Sequence, residues 1–152
     1  MDLVEIAYGN DVPQKRVTEC QALLAKYPDL NAIMAPTSVA VAAAGQVFES
    51  LGVYPGGAAG KSIILMGKGL PNETRRFVKE GAIQEDVLWD PSDIGYASAY
   101  LATGLVKKTI ALGEGKTFSA GTLGTLTFGK YNLVICGGPK VFTKDNIDQF
   151  NF

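Results

Sequence analysis

Three short clusters in this chain follow directly on apolar runs and carry groups able to hold a polar ligand: Pro36-Thr37-Ser38, Gly67-Lys68-Gly69 and Trp89-Asp90. The hydroxyls of Thr37 and Ser38 each donate and accept, and Pro36 makes the turn rigid, which suits a polyhydroxylated ligand. Lys68 adds a cation, and Gly69 an unobstructed backbone. Trp89, the single tryptophan, sets a flat apolar ring beside the Asp90 carboxylate, a pairing that fits a sugar with one apolar face and many hydroxyls.

Each cluster also has a plainer reading. Ser38 can cap the helix that follows it, as Asp90 can cap the next one along. Trp89 can pack under that helix as core, because strand ends often bury large aromatics. Gly67 is favoured as a turn residue relieving steric strain, while Lys68 still points into a cleft. Asn10 and Asp11 read as cap and turn residues.

Catalytic readings are sparse. The chain has no histidine, so Ser-His and Cys-His pairs, imidazole acid-base steps and histidine-ligated zinc are absent from its own residues. The carboxylate pairs Glu85-Asp86 and Asp90-Asp93 sit at element ends, where solvated charges and caps are commoner than catalytic dyads. Gly67-Lys68-Gly69 lacks the full GxGxxG or GxxxxGKS/T spacing of a phosphate cradle. The chemistry points to binding rather than catalysis, with neither cofactor nor metal.

The elements that must position these clusters form a βα rhythm. Leu3 to Tyr8 reads as a strand, and Pro13 opens a helix running through Tyr27. Leu30 to Ala35 is a short buried strand, followed by an Ala-rich helix from Val39 to Leu51 that Gly52 closes. Ser62 to Met66 leads to a helix over about Asn72 to Glu80, ended by Gly81. Ile83 to Leu88 leads to the longest helix, about Ile94 to Ala111. From Lys116 the rhythm changes to a glycine-punctuated hairpin, a strand Leu133 to Cys136 and a terminal extended segment. The class is α/β with a mainly parallel sheet, and ligands of such sheets lie outside the carboxyl ends of the strands.

At 152 residues and 47% hydrophobic content the chain can build a core. Its 14 Lys plus Arg against 15 Asp plus Glu leave a net charge of -1, with no block of like charge to attract nucleic acid or an anionic membrane. Cys20 and Cys136 lack metal spacing and are expected to be small buried residues. No signal-peptide pattern opens the chain, and no window reaches the ~18 apolar residues of a membrane span. Strand character beginning near residue 3, without a polar lead-in, leads us to expect a fragment with an initiator Met.

Three segments together carry a family resemblance: Tyr27-Pro28-Asp29-Leu30-Asn31-Ala32-Ile33-Met34-Ala35-Pro36-Thr37, Leu88-Trp89-Asp90-Pro91-Ser92-Asp93-Ile94-Gly95-Tyr96, and Gly138-Pro139-Lys140-Val141-Phe142-Thr143-Lys144-Asp145-Asn146-Ile147-Asp148. The chain resembles the sugar-binding proteins of ABC importers, specifically the rhamnose-binding group and next the autoinducer-2-binding group, from Leu3 to Phe152. The resemblance implies a type I periplasmic-binding-protein fold, here as an incomplete three-layer αβα Rossmann-like lobe. Residues 1–152 would form the carboxyl-terminal lobe, with 116–152 as the hinge-crossing and terminal strand segment.

The resemblance further implies a small sugar ligand, a membrane permease as partner, and a missing amino-terminal lobe that closes over the ligand. The full-length protein would be periplasmic, or extracellular and lipid-anchored. The family's contacts at the proline-containing turn carry over onto Pro36 and Ser38, with Thr37 between them, and its strand-end position before the long helix onto Trp89 and Asp90. Many pentose and hexose binders place an aspartate where this chain has Gly67-Lys68-Gly69, so Gly69 offers only backbone there. Two other readings are an effector domain of a sugar-responsive transcription regulator and a small flavodoxin-like enzyme, the latter without a recognisable phosphate site. A strand lost from the sheet would leave an open edge, so a homodimer through that edge is expected.

Overall fold

The computed structural model describes residues 2–152. The chain divides into two compact units: residues up to Leu88 together with Val141–Phe152, and Trp89–Lys140. The sequence pattern changes at Lys116, whereas the second unit begins earlier, directly after the third strand.

The first unit is built from α1 (Pro13–Lys26), β1 (Ala32–Ala35), α2 (Ser38–Leu51), β2 (Ile64–Gly67), α3 (Pro71–Glu80) and β3 (Glu85–Leu88). A late strand, β6 (Lys140–Phe142), completes a four-stranded sheet of order β1-β2-β3-β6. β1 and β2 run parallel with Ala32 opposite Ile64 and Ala35 opposite Gly67, and β2 and β3 run parallel with Gly67 opposite Asp86. β1 and β2 therefore end level, and β3 runs two residues further in the same direction to Leu88, so the carboxyl ends share one rim as the βα rhythm requires.

Helix α2 holds this unit together, touching α1, α3, β1 and β2. Its buried face is mostly small, with Ala40, Ala43, Ala44 and Gly45 beside Val41, Val47 and Phe48. A Cβ added at Gly45 would lie 2.8 Å from Phe77 Cγ, so the glycine is what lets α3 approach. Glycines in left-handed conformation end both helices, Gly52 at α2 and Gly81 at α3, where a Cβ would be strained.

The core around α2 includes Leu65, Val78, Ile83, Phe142 and Ile147. The chain's last residues seal it: the Phe142 and Phe150 rings meet edge to face at 4.9 Å. The Asn72 amide donates to the Phe152 carbonyl at 3.1 Å, and Arg75 and Lys79 both pair with Asp148.

The second unit holds α4 (Pro91–Val106), the antiparallel hairpin of β4 (Thr117–Ser119) and β5 (Thr125–Thr127), and the return to β6. Its core is small, formed by Ala97, Phe118, Ala120, Leu126 and Phe128. The Phe118 and Phe128 rings pack at 5.2 Å.

Four sequence expectations are corrected. Leu3 to Tyr8 joins no ladder, and its side chains lie open, Leu3 at 74% and Ile6 at 60% exposure. The segment is held elsewhere, because Lys26 Nζ donates to Glu5 at 2.7 Å and Tyr27 Oη does so at 2.8 Å. Alternation shows how a segment could pair, but a strand exists only where a partner meets its backbone groups.

Leu133 to Cys136 contributes a single bridge, Val134 to Phe128, rather than a strand. The cap of α2 is Thr37, whose Oγ1 accepts from the Ala40 amide at 3.2 Å, not Ser38, which is the first helical residue. Helix α4 stops at Val106 instead of Ala111. There the Thr109 amide donates to the Gly104 carbonyl and the Lys108 amide to the Leu105 carbonyl, a double closure that reverses the chain.

Both cysteines are free; Cys20 is buried and Cys136 only half-buried. Among the described residues, no helix is long and apolar enough to cross a membrane.

The α4 closure places Lys108 in left-handed conformation, with φ at 57°, which costs a residue with a Cβ about 1 kcal/mol or more. Lys108→Gly is expected to raise stability by about 1 kcal/mol in urea unfolding. Unchanged or lower stability would show that the Lys side chain holds contacts that outweigh the strain.

Candidate ligand-binding rim

In the first unit, Pro36-Thr37-Ser38 and Gly67-Lys68-Gly69 leave neighbouring parallel strands at the same level. The Lys68 amide donates to the Ala35 carbonyl at 3.0 Å, extending the ladder past both strand ends. Pro36 is exposed, and Thr37, Ser38 and Lys68 are half-buried. A single polar rim thus joins these two clusters, which lie more than thirty residues apart in sequence.

Thr37 has two roles at once. Its Oγ1 accepts the capping bond from Ala40 and donates to Asp11 Oδ1 at 2.9 Å. Asp11 also receives Arg16 Nη2 at 3.3 Å, and with Asn10 it adopts the left-handed backbone of a turn. The Asn10-Asp11 turn is therefore fastened to the rim by Thr37, and the Thr37 hydroxyl proton is committed to that bond. Ser38 opens α2, where first-turn amides lack partners within the helix and suit an electron-rich ligand atom.

Gly69 is different. It is buried, and an added Cβ would lie 2.6 Å from Thr74 Cγ2, 2.8 Å from Val41 Cγ1 and 2.9 Å from Asp86 Oδ2. Close packing sets its identity. Beneath it Asp86 and Thr74 are fully buried, with Thr74 Oγ1 and Asp86 Oδ2 in hydrogen-bond contact at 2.6 Å. Burial pushes the Asp86 carboxyl above the usual carboxylate range, opposed by Thr74 and by the amides of Gly69 and Val87.

In the second unit, Trp89 is 46% exposed, so it is not a core residue of that unit. It borders a cavity of about 370 Å3 with Asp90, Asp93, Ser98 and Cys136, over a floor that includes Leu101 and Phe118. An aromatic wall, two carboxylates and an apolar floor can hold a ligand with both hydroxyl and apolar faces.

Asp90 caps α4, accepting the Ser92 amide on Oδ1 at 2.9 Å, and its Oδ2 accepts Lys140 Nζ at 2.8 Å. The Lys140 ammonium, more than any other influence, holds the Asp90 carboxyl below its ordinary range. The capping role read from the sequence is present, together with an ion pair that fixes the carboxylate's orientation.

Sequence reasoning missed Lys140 as Asp90's partner and the buried pair Asp86 and Thr74. Lys140 stands in a segment quoted for its family resemblance, but fifty residues separate it from Asp90 and nothing local links them. The signal for Asp86 was strand alternation, which turns Glu85 outward and Asp86 inward with Leu88, where burial can tolerate an acid only with hydrogen bonds or a bound proton.

Gly69→Ala tests the packing role. The clashes should lower stability by about 1–3 kcal/mol in urea unfolding. Unchanged stability would mean that the rim has room for a Cβ and that Gly69 is there for some other reason.

Comparisons with known proteins agree with this architecture. Residues 1–110 match the family described as periplasmic binding protein domain. A sugar ABC transporter structure from Actinomyces odontolyticus aligns with a TM-score of 0.84 and 40% identity over 99% of this chain and 46% of that one. An ABC transporter solute-binding protein from Clostridium phytofermentas with bound L-rhamnose aligns at 0.81 with 27% identity, over 98% of this chain and 48% of that one. LsrB from Clostridium saccharobutylicum in complex with AI-2, at 20% identity and a TM-score of 0.80 over 95% of this chain and 47% of that one, shares the fold. The chain spans about half the length of the solved structures it matches. The α/β architecture with its mainly parallel sheet is part of a type I periplasmic-binding-protein fold, and the chain belongs to the periplasmic binding protein domain family.

Proposed function

We propose that this chain is the carboxyl-terminal portion of a solute-binding component of an ABC importer, and that it captures a small sugar, rhamnose or a related deoxysugar. The observation that carries this reading is the 40% identity to a sugar ABC transporter protein, sustained over 99% of the chain. The bound L-rhamnose of the 27% identical solute-binding protein supports the ligand class. Within the first unit Pro36, Thr37, Ser38 and Lys68 form a polar rim, and within the second Trp89 and Asp90 border a cavity of their own; each offers groups of the kind sugars engage.

The mechanism is capture without a chemical step. Hydrogen bonds orient the sugar, and an aromatic face covers its apolar side. Closure of an amino-terminal lobe buries it and alters the surface shown to a membrane permease. The full-length protein works in the periplasm or, lipid-anchored, outside the cell. The near-neutral charge of -1 gives nucleic acid no electrostatic reason to bind.

The test is titration calorimetry of L-rhamnose against two proteins: this chain, and a full-length hybrid in which it replaces the equivalent half of the Actinomyces odontolyticus protein. The folded hybrid is expected to bind, and the chain alone at least about 100-fold more weakly, because half of a closing cleft loses the opposing contacts. Trp89→Ala in the hybrid should weaken binding about tenfold or more, equivalent to ~1.4 kcal/mol. Micromolar binding by the isolated chain, or a folded hybrid blind to small sugars, would overturn the reading.

The isolated chain should also self-associate. β1 is the outer strand of its sheet, and Leu3 to Tyr8 is largely apolar and outside any ladder, so backbone groups are open to a second copy. Light scattering at micromolar concentration is expected to give a mass above the 16.1 kDa monomer. A monomeric mass throughout would reject this.

A further inference from the structure

The β3 strand carries a carboxyl group into the interior without a counter-charge. Asp86 is fully buried, as is Thr74 on α3, and none of the ion pairs among the described residues includes Asp86. Thr74 Oγ1 lies 2.6 Å from Asp86 Oδ2 and 3.1 Å from the Leu70 carbonyl oxygen. Asp86 Oδ1 has no hydrogen-bond partner.

A hydroxyl has one proton, so Thr74 cannot donate to both neighbours. Were Asp86 ionised, Thr74 would be its one close side-chain donor, the Gly69 and Val87 amides would add less than Thr74 does, and no ion-pair partner would balance the charge. Burying an ion so poorly compensated costs several kcal/mol, which a group avoids by taking up a proton. With a proton on Oδ2 both short contacts are satisfied in sequence: Asp86 donates to Thr74, and Thr74 donates to Leu70. Oδ1 then becomes the carbonyl oxygen of a neutral acid, which tolerates isolation better than a carboxylate oxygen.

We propose that Asp86 is a proton-holding positioning residue, whose neutral carboxyl donates to Thr74 and through it to Leu70, clamping the Gly67–Leu70 turn that carries Lys68 onto the end of β3. The turn has little room to shift on its own, since a Cβ at Gly69 would come within 2.9 Å of Asp86 Oδ2. Leu70 is also the residue from which α3 starts: its carbonyl accepts the amides of Glu73 at 2.9 Å and Thr74 at 3.1 Å. The relay therefore joins the rim, the first turn of α3 and β3 through one proton.

Burial raises the Asp86 pKa, the direction the relay requires. Charged residues on the surrounding elements are Lys68 on the turn, Glu73, Arg75, Arg76, Lys79 and Glu80 on α3, Glu85 on β3 and Lys140 on β6. None of them forms an ion pair with Asp86, whose upward shift comes from burial and is opposed by Thr74 and two backbone amides. Because the folded pKa lies above the unfolded one, the folded state binds the extra proton between them. The clamp's contribution is complete below the unfolded value of about 3.9 and is lost as pH rises through the folded value. Its bearing on Lys68 as a ligand contact rests on the sugar-binding reading above, whereas its test involves no sugar.

The test is carbon-detected NMR of the aspartate carboxyls in this chain, assigned with Asp86→Asn, together with hydrogen exchange at the Glu73 and Thr74 amides across pH. The Asp86 carboxyl carbon should titrate above the ~3.9 of a free aspartate. Protection of the two amides, corrected for intrinsic exchange, should fall at least tenfold as it ionises. Asp86→Asn supplies an amide donor in the same place, so protection should persist and the pH step should vanish; Asp86→Ala should lose protection at every pH. A midpoint at or below ~3.9, or an unchanged pH step in Asp86→Asn, would overturn the proposal. If the Ala variant fails to fold, the Asn variant and the titration still decide it.

Discussion

The close seating of α2 is the constraint on which the first unit depends. A helix packs against parallel strands at a distance set by its side chains, and the small residues Ala40, Ala43, Ala44 and Gly45 keep that distance short. Val41 reaches from α2 to within what would be 2.3 Å of a Cβ at Gly67 and 2.8 Å of one at Gly69. The glycines at the end of β2 and the small face of α2 are thus one solution to one steric problem. Because Thr37 caps this same helix and also holds Asp11, the level at which α2 sits fixes the height of the polar rim.

The βα alternation was legible because it depends on local periodicity and on punctuation by Gly52, Gly81, Pro71 and Pro91. The prolines fix their own φ and the glycines admit the left-handed turn that ends a helix, and both effects are local to the residue. What stayed hidden depends on partners remote in sequence. Leu3 to Tyr8 has the composition of a strand but no ladder, and Leu133 to Cys136 contributes one bridge. The end of α4 escaped reading because Lys108 occupies a conformation usually given to glycine, so the usual stop signal was missing. At the rim, residue types pointed to Ser38 as the cap, whereas the fold gives that role to Thr37 and brings Asp11, remote in sequence, against it.

The two units differ in how fully their apolar residues are enclosed. The first has a core of large side chains sealed by Phe142, Phe150 and Phe152. In the second, a sixteen-residue helix buries only Ala97 and Gly104, while Ile94, Tyr100 and Val106 remain exposed. A region of about fifty residues gains limited burial from its own packing. Local opening should therefore cost less in the second unit than around α2.

The two thiols are chemically unequal. Cys20 is buried and its pKa is pushed up to about 12 by desolvation, so almost none of it exists as the nucleophilic thiolate at neutral pH. Cys136 is half-buried on the wall of the cavity bordered by Trp89. A thiol-directed fluorophore would consequently mark the unsubstituted chain at Cys136, next to its single indole, giving a donor and an acceptor for energy transfer without altering any residue.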